Sequence, residues 1–180
     1  MRIFLMGYMG SGKTTVGKPL ARQLGLEFVD MDHVIADRHG RSVNEIFSTF
    51  GEARFREIER EILGELLTRD NIVVSLGGGT PCFFDNLERI KTAGVTVYLQ
   101  AGVETLARRL EHGKARRPLL RDKSPEELFD FIRDSLAIRE QVYSQAAVIV
   151  GCDGYSDMQI VDKIAAVLRL PPQPQVVVYS

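Results

Sequence analysis

Gly7-Tyr8-Met9-Gly10-Ser11-Gly12-Lys13-Thr14 sets a lysine and a hydroxyl directly behind a glycine-rich loop, an order of residue types suited to nucleoside triphosphate. Glycines let the backbone curl until several N–H groups face phosphate oxygens, and a helix starting there adds partial positive charge. The lysine can then reach the terminal phosphates, while the threonine offers its hydroxyl to Mg²⁺. Gly10, Ser11, Gly12, Lys13, Thr14 and Thr15 are therefore the expected ATP contacts. The plainer reading is a structural glycine turn, but the loop follows an apolar run and opens a helix-length segment that Gly25 stops.

Two further clusters stand where ligands gather. Asp30 follows Phe28-Val29, the usual place for a metal-organising acid at the end of a buried strand, and Asp32 lies two residues on. The run Ile72–Leu76 ends instead in Gly77-Gly78-Gly79, which leaves room for a ligand against bare backbone. A small substrate beside the nucleotide is the sharper reading of those glycines; a tight turn is the plainer one. A GTPase would need a base-reading NKxD segment, and none occurs. Asp37-Arg38-His39-Gly40 does fit DxxG, but Gly40 is better explained as a helix stop before Ser42.

The elements that must hold these residues alternate. Short β-branched runs at 3–6, 28–29, 72–76, 95–99 and 147–150 read as buried strands, separated by helix-length segments. Ser42-Val-Asn-Glu45, Ser124-Pro-Glu-Glu127 and Ser156-Asp-Met-Gln159 each fit a capping box, in which two side chains satisfy the free N–H groups of a helix start. Alternation of this kind predicts an α/β fold, a parallel sheet in a three-layer α/β/α sandwich. Residues 1–170 are expected to form one domain, with a substrate lobe at about 32–62 and a mobile lid at about 112–123. The tail Pro171–Ser180 has no role legible in its sequence.

Composition narrows the classes. The 180 residues suffice for one domain with a real core, and a formal net charge of −1 gives no reason to expect nucleic acid or an anionic membrane. Seventeen arginines stand against six lysines, a bias toward the planar fork that suits carboxylates and phosphates. Cys82 and Cys152 lie far apart, which suits a reduced compartment better than a disulfide scaffold. The opening apolar run is too short for a signal peptide or membrane span, so a cytoplasmic protein is expected. His33, His39 and His112 share no metal-ligand spacing.

Taken in order, Asp30-Met31-Asp32, Phe55-Arg56-Glu57-Ile58-Glu59, Gly77-Gly78-Gly79, Arg117-Pro118-Leu119-Leu120 and Arg139-x-x-x-Tyr143-x-x-x-Ala147, behind that phosphate loop, resemble the shikimate kinases. The resemblance covers nearly the whole chain. It implies a P-loop fold like that of the nucleoside-monophosphate kinases and transfer of phosphate from ATP to a shikimate hydroxyl, with Mg²⁺ as cofactor, on the route to chorismate and the aromatic amino acids. Carried over, Asp32 binds the acceptor hydroxyl, Arg56 and Arg139 grip the substrate carboxylate, and Gly78 and Gly79 offer backbone N–H groups. Lys13, Asp32 and Arg117 form the catalytic set, with Arg117 closing over the ATP phosphates from the lid. Thr14 and Asp30 organise the metal, directly or through water. The expected partners are ATP and shikimate alone, in a monomer. Thr80 departs from the pattern, since the family often carries alanine there.

Some of these residues also speak for themselves. Leu128, Ile132, Leu136, Arg139 and Tyr143 follow helical spacing, which puts a guanidinium inside an apolar stripe, costly unless paired. A substrate carboxylate would pair it, as would an internal one. Arg56 sits beside the stripe Phe55, Ile58, Ile62 and Leu66, and an exposed helical ion pair explains it adequately by itself. Asp32 could merely cap the helix that follows. Basic residues crowd between Arg108 and Lys123 without aromatics for base stacking, which favours a lid over a nucleic-acid patch, and Arg109 is a candidate neighbour of the adenine. Phe47 and Phe55 are expected in the core and as pocket walls, with Cys82 close by. A gluconate kinase and a non-catalytic nucleotide switch are the alternatives.

Overall fold

The computed structural model describes residues 1–113, 119–169 and 174–178. Six strands form one parallel sheet: β1 (Arg2–Met6), β2 (Glu27–Asp30), β3 (Ile72–Ser75), β4 (Val95–Gln100), β5 (Val148–Gly151) and β6 (Val176–Val178), in the order β2-β3-β1-β4-β5-β6. Residues 3–6 of β1 and all of β3 are buried without alternation, as strands covered on both faces must be. The helices between them are α1 (Lys13–Leu24), α2 (Met31–His39), α3 (Val43–Leu66), α4 (Asn86–Ala93), α5 (Val103–Glu111), α6 (Pro125–Tyr143) and α7 (Asp157–Leu168), with a 3₁₀ turn at Thr80–Cys82.

The sequence signals for helix ends act as expected. Ser42, Ser124 and Ser156 each accept from the N–H three residues on, and Glu45, Glu127 and Gln159 return the bond. Gly25 and Gly40 close α1 and α2 in the left-handed conformation. The stretch between β2 and β3 contains α2 and α3, and α3 bends at Gly51, whose φ of 80° breaks the helical run.

The tail yields what its sequence did not reveal. Val176–Val178 pairs in parallel with β5, and Gln175 anchors it by donating to the carbonyls of Ser144 and Ala146. Three valines after a proline-rich stretch are too short to announce a strand. The open edge of β5 makes them one.

β1 and β3 are hydrogen-bonded neighbours. The glycine loop after one and the triple glycine after the other therefore emerge side by side at the carboxyl edge of the sheet, where α/β folds bind ligands.

Candidate active site

Two adjoining cavities occupy that edge. One, of about 590 Å³, is lined by Gly10, Gly12, Lys13, Thr14, Thr15, Asp30 and Asp157; the other, of about 990 Å³, by Phe47, Phe55, Arg56, Gly77, Gly78, Gly79 and Arg139. Met9, Asp32, Gly78 and Arg109 line both, so the two open onto each other there.

The smaller cavity is built by the loop after β1. Gly12 is the cap of α1 with φ 98°, a conformation that a side chain would strain, and Gly10 stands at φ 81°. Lys13 Nζ donates to the carbonyls of Gly7 (2.8 Å) and Tyr8 (3.1 Å), with no carboxylate of the described residues in direct contact. Burial pulls its pKa down to about 8 against the opposing pull of Asp32 and Asp30. Thr14 Oγ1 donates to Asp30 Oδ2 at 2.7 Å, and Thr15 Oγ1 to the Gly12 carbonyl. Ser11 Oγ is buried and has no partner among the described residues. Arg109 Nη1 donates to the Gly10 carbonyl at 3.1 Å, which brings α5 onto the loop.

Thr14 and Asp30 fit Mg²⁺ by their chemistry: both are hard oxygen donors, already adjacent, beside the phosphate cradle. Asp30 has a second task. Its Oδ1 accepts from the N–H groups of Asp32 and His33 and so caps α2. The helix-capping reading of Asp32 thus belongs to Asp30, and the Asp32 side chain turns to the cavities. There, partial removal from water, with the charges of Asp30 and Glu59, lifts its pKa to about 6 despite Lys13 and Arg56. The carboxylate still meets solvent in the open cavity, which tempers that shift.

In the larger cavity, Arg56 is not the exposed ion pair its sequence neighbourhood allowed. It is 8% exposed, with Nη1 on Glu59 Oε2 at 2.6 Å and Nη2 on Glu52 at 3.2 Å, and its guanidinium lies 4.2 Å from the Phe83 ring centre. Nε is buried without a partner among the described residues. A Cβ on Gly79 would fall 2.5 Å from Arg56 Nη1, so glycine there is what lets the backbone and the guanidinium touch. Arg139 faces Tyr8 at 5.4 Å, and no carboxylate of the described residues forms a salt bridge with it. Tyr143, one turn further along α6, donates its hydroxyl to the Gly78 carbonyl. Phe47 and Phe55 pack edge to face with centres 5.5 Å apart and wall the cavity. Cys82 is half-buried nearby, and burial raises its thiol pKa, which makes it a poor nucleophile.

The structure therefore brings together Lys13, Thr14, Asp30, Asp32, Arg56, Gly78, Gly79 and Arg139. Arg117 and residues 114–118 of the expected lid lie outside the described residues. Glu59, which is fully buried and binds Arg56, was not among the expected site residues. Its spacing of three from Arg56 on a helix was the available signal, weakened because Glu52, four residues before Arg56, looks equally suited.

Comparison with known proteins bears on the same edge. The family model for shikimate kinase matches residues 9–169. A shikimate kinase from Azobacteroides pseudotrichonymphae is 50% identical over 149 residues, covering 82% of this chain and 88% of its own. The crystal structure of shikimate kinase from Bacteroides thetaiotaomicron superposes with a TM-score of 0.89 at 43% identity, covering 94% of this chain and 99% of that one. Shikimate kinase from Acinetobacter baumannii, solved in complex with shikimate, gives 0.85 at 38% identity over 93% and 92%.

Proposed function

The chain belongs to the shikimate kinase family, and on that premise we propose how its own residues carry out the family's reaction, ATP-dependent phosphorylation of a shikimate hydroxyl. The observation that carries the reading is the junction of the two cavities at Asp32: a phosphate cradle on one side and two arginines facing a glycine backbone on the other.

ATP lies along the loop 7–14, its terminal phosphates taking the N–H groups and displacing Lys13 Nζ from the Gly7 and Tyr8 carbonyls. Thr14 and Asp30 would hold Mg²⁺, which supplies positive charge to the phosphate oxygens when bound. The substrate carboxylate binds Arg139 and the Arg56 guanidinium, with Gly78 and Gly79 offering N–H groups. That anchors the ring so that a hydroxyl meets Asp32. Asp32 orients this hydroxyl toward the terminal phosphorus and accepts its proton as the O–P bond forms and the bond to ADP breaks. Lys13 balances the charge that develops on the transferring group, joined by Arg117, whose part rests on sequence alone.

A cytoplasmic monomer without nucleic-acid partners is the setting for this reading. Both cysteines are free thiols, the net charge is −1, and no helix among the described residues is long and apolar enough to cross a membrane.

The test is ADP release from Mg-ATP with no acceptor, with shikimate and with gluconate. Stimulation by shikimate alone is expected. Stimulation by gluconate alone would overturn the substrate, and turnover indifferent to either acceptor would overturn the kinase reading of the second cavity.

A further inference from the structure

Arg56 is held by Glu59, and Glu59 is itself held by something outside its helix. A buried carboxylate has two oxygens to satisfy. In Glu59, Oε2 accepts from Arg56 Nη1 at 2.6 Å, and Oε1 accepts from Thr80 Oγ1 at 2.7 Å. The relative exposures of Thr80, Glu59 and Arg56 are 0%, 1% and 8%, so bulk water has little access to replace either bond.

Thr80 is a rigid anchor for such a bond. Its N–H donates to the Gly77 carbonyl at 3.0 Å, its own carbonyl accepts from Asn86 Nδ2 at 2.9 Å, and it begins the 3₁₀ turn behind the triple glycine. The hydroxyl is thereby fixed to the same backbone that faces the substrate. Gly77 shows how closely these groups converge: a Cβ there would stand 2.7 Å from Glu59 Oε1, 2.8 Å from Thr80 Oγ1 and 3.1 Å from Asp32 Oδ1.

We infer that Thr80 is a positioning residue for the substrate carboxylate, acting through Glu59 to fix the Arg56 guanidinium against the Gly77–Gly79 backbone. The inference rests on the proposed reading of the larger cavity, in which Arg56 binds that carboxylate. Its logic is local. Without the hydroxyl, Glu59 Oε1 loses its donor in a site that water hardly reaches, and the carboxylate is free to rotate toward another partner. Arg56 then follows Glu59 or turns to Glu52, and its guanidinium leaves the position from which it faces the substrate carboxylate. No hydrogen bond among the described residues joins Thr80 to the phosphate loop or to the metal pair Thr14 and Asp30, so the nucleotide half of the reaction is unaffected. The chain thus uses a hydroxyl where an apolar residue would fill the same space.

Steady-state kinetics of Thr80→Val, Thr80→Ala and Thr80→Ser against the parent chain test this. Valine keeps the volume and removes only the donor, so it guards against a fold lost to a cavity. Both Val and Ala are expected to raise the shikimate KM about tenfold, the size of one hydrogen bond to a charged group, with kcat and the ATP KM within about twofold of the parent. Serine is expected to restore the parent KM. An unchanged shikimate KM in Thr80→Val overturns the inference while leaving the kinase reading intact. So does a rise in the ATP KM or a fall in kcat of the same size, since a general loss of structure would give that. Failure of serine to rescue overturns it as well. A parent chain without shikimate-dependent turnover would remove the proposed function itself, and this inference with it.

Discussion

Asp30 and Asp32 are two residues apart, yet the first spends both carboxylate oxygens on protein while the second spends neither on its own helix start. Asp30 Oδ1 caps α2 and Oδ2 accepts from Thr14. By occupying the cap, Asp30 spares Asp32 that duty, and Asp32 stands where the two cavities meet. Testable predictions come from this division and from Arg139, which lines the larger cavity with Asp32.

The pH profile of kcat/KM is expected to be bell-shaped, because kcat/KM reports the free enzyme. Asp32 must be ionised to accept a proton, so activity rises as pH climbs through about 6. Lys13 must be protonated to balance phosphate charge, so activity falls as pH climbs through about 8. The two groups feel each other, so the limbs belong to the pair. A profile flat from pH 5 to 9 would contradict both roles.

Asp32→Asn is expected to lower kcat by about 10² or more while leaving ATP binding near that of the parent. Stability should move the other way. The folded-state pKa of Asp32 is raised from 3.8 to about 6, so ionising it costs folding free energy, a loss that sets in as pH rises between those values. Asn removes that cost, and a higher Tm is expected at pH 7.5 but not at pH 4. Asp30→Asn should instead raise the Mg²⁺ concentration needed for half-maximal rate. Titrating Mg²⁺ for both variants separates the two carboxylates; a shared phenotype would contradict their division.

Arg139→Ala is expected to raise the shikimate KM by about tenfold or more, the loss of a charge-assisted bond to a carboxylate. Lysine should rescue only in part, since a point charge cannot make a forked contact. Because no salt bridge to a described carboxylate is broken, Tm should hardly change. An unchanged KM would reject the assignment.

Much of this site was legible in the residue order alone. The loop 7–14 could be read because its chemistry is local: positive φ at Gly10 and Gly12, a helix start and Lys13 are consecutive properties of one short segment. Strand and helix alternation and three capping boxes likewise follow from neighbours in the chain. Arg139 declared itself by interrupting an apolar stripe, since a charge among buried positions demands a partner whatever the fold.

What the chain order could not express is which distant groups share one buried space. That Arg56 lies 8% exposed rather than on a solvated helix face depends on Phe83 and Gly79 arriving from behind β3. Thr80 looks like a minor variation until the fold sets its hydroxyl 2.7 Å from Glu59, twenty-one residues earlier. Val176–Val178 is a strand only because β5 leaves an edge to pair with. Local residue order determined the phosphate cradle and the parallel sheet, because backbone conformation and periodicity act over a few neighbours. Only the tertiary structure decided the partners of Arg56, Glu59 and Thr80, because burial and electrostatic pairing depend on through-space distance.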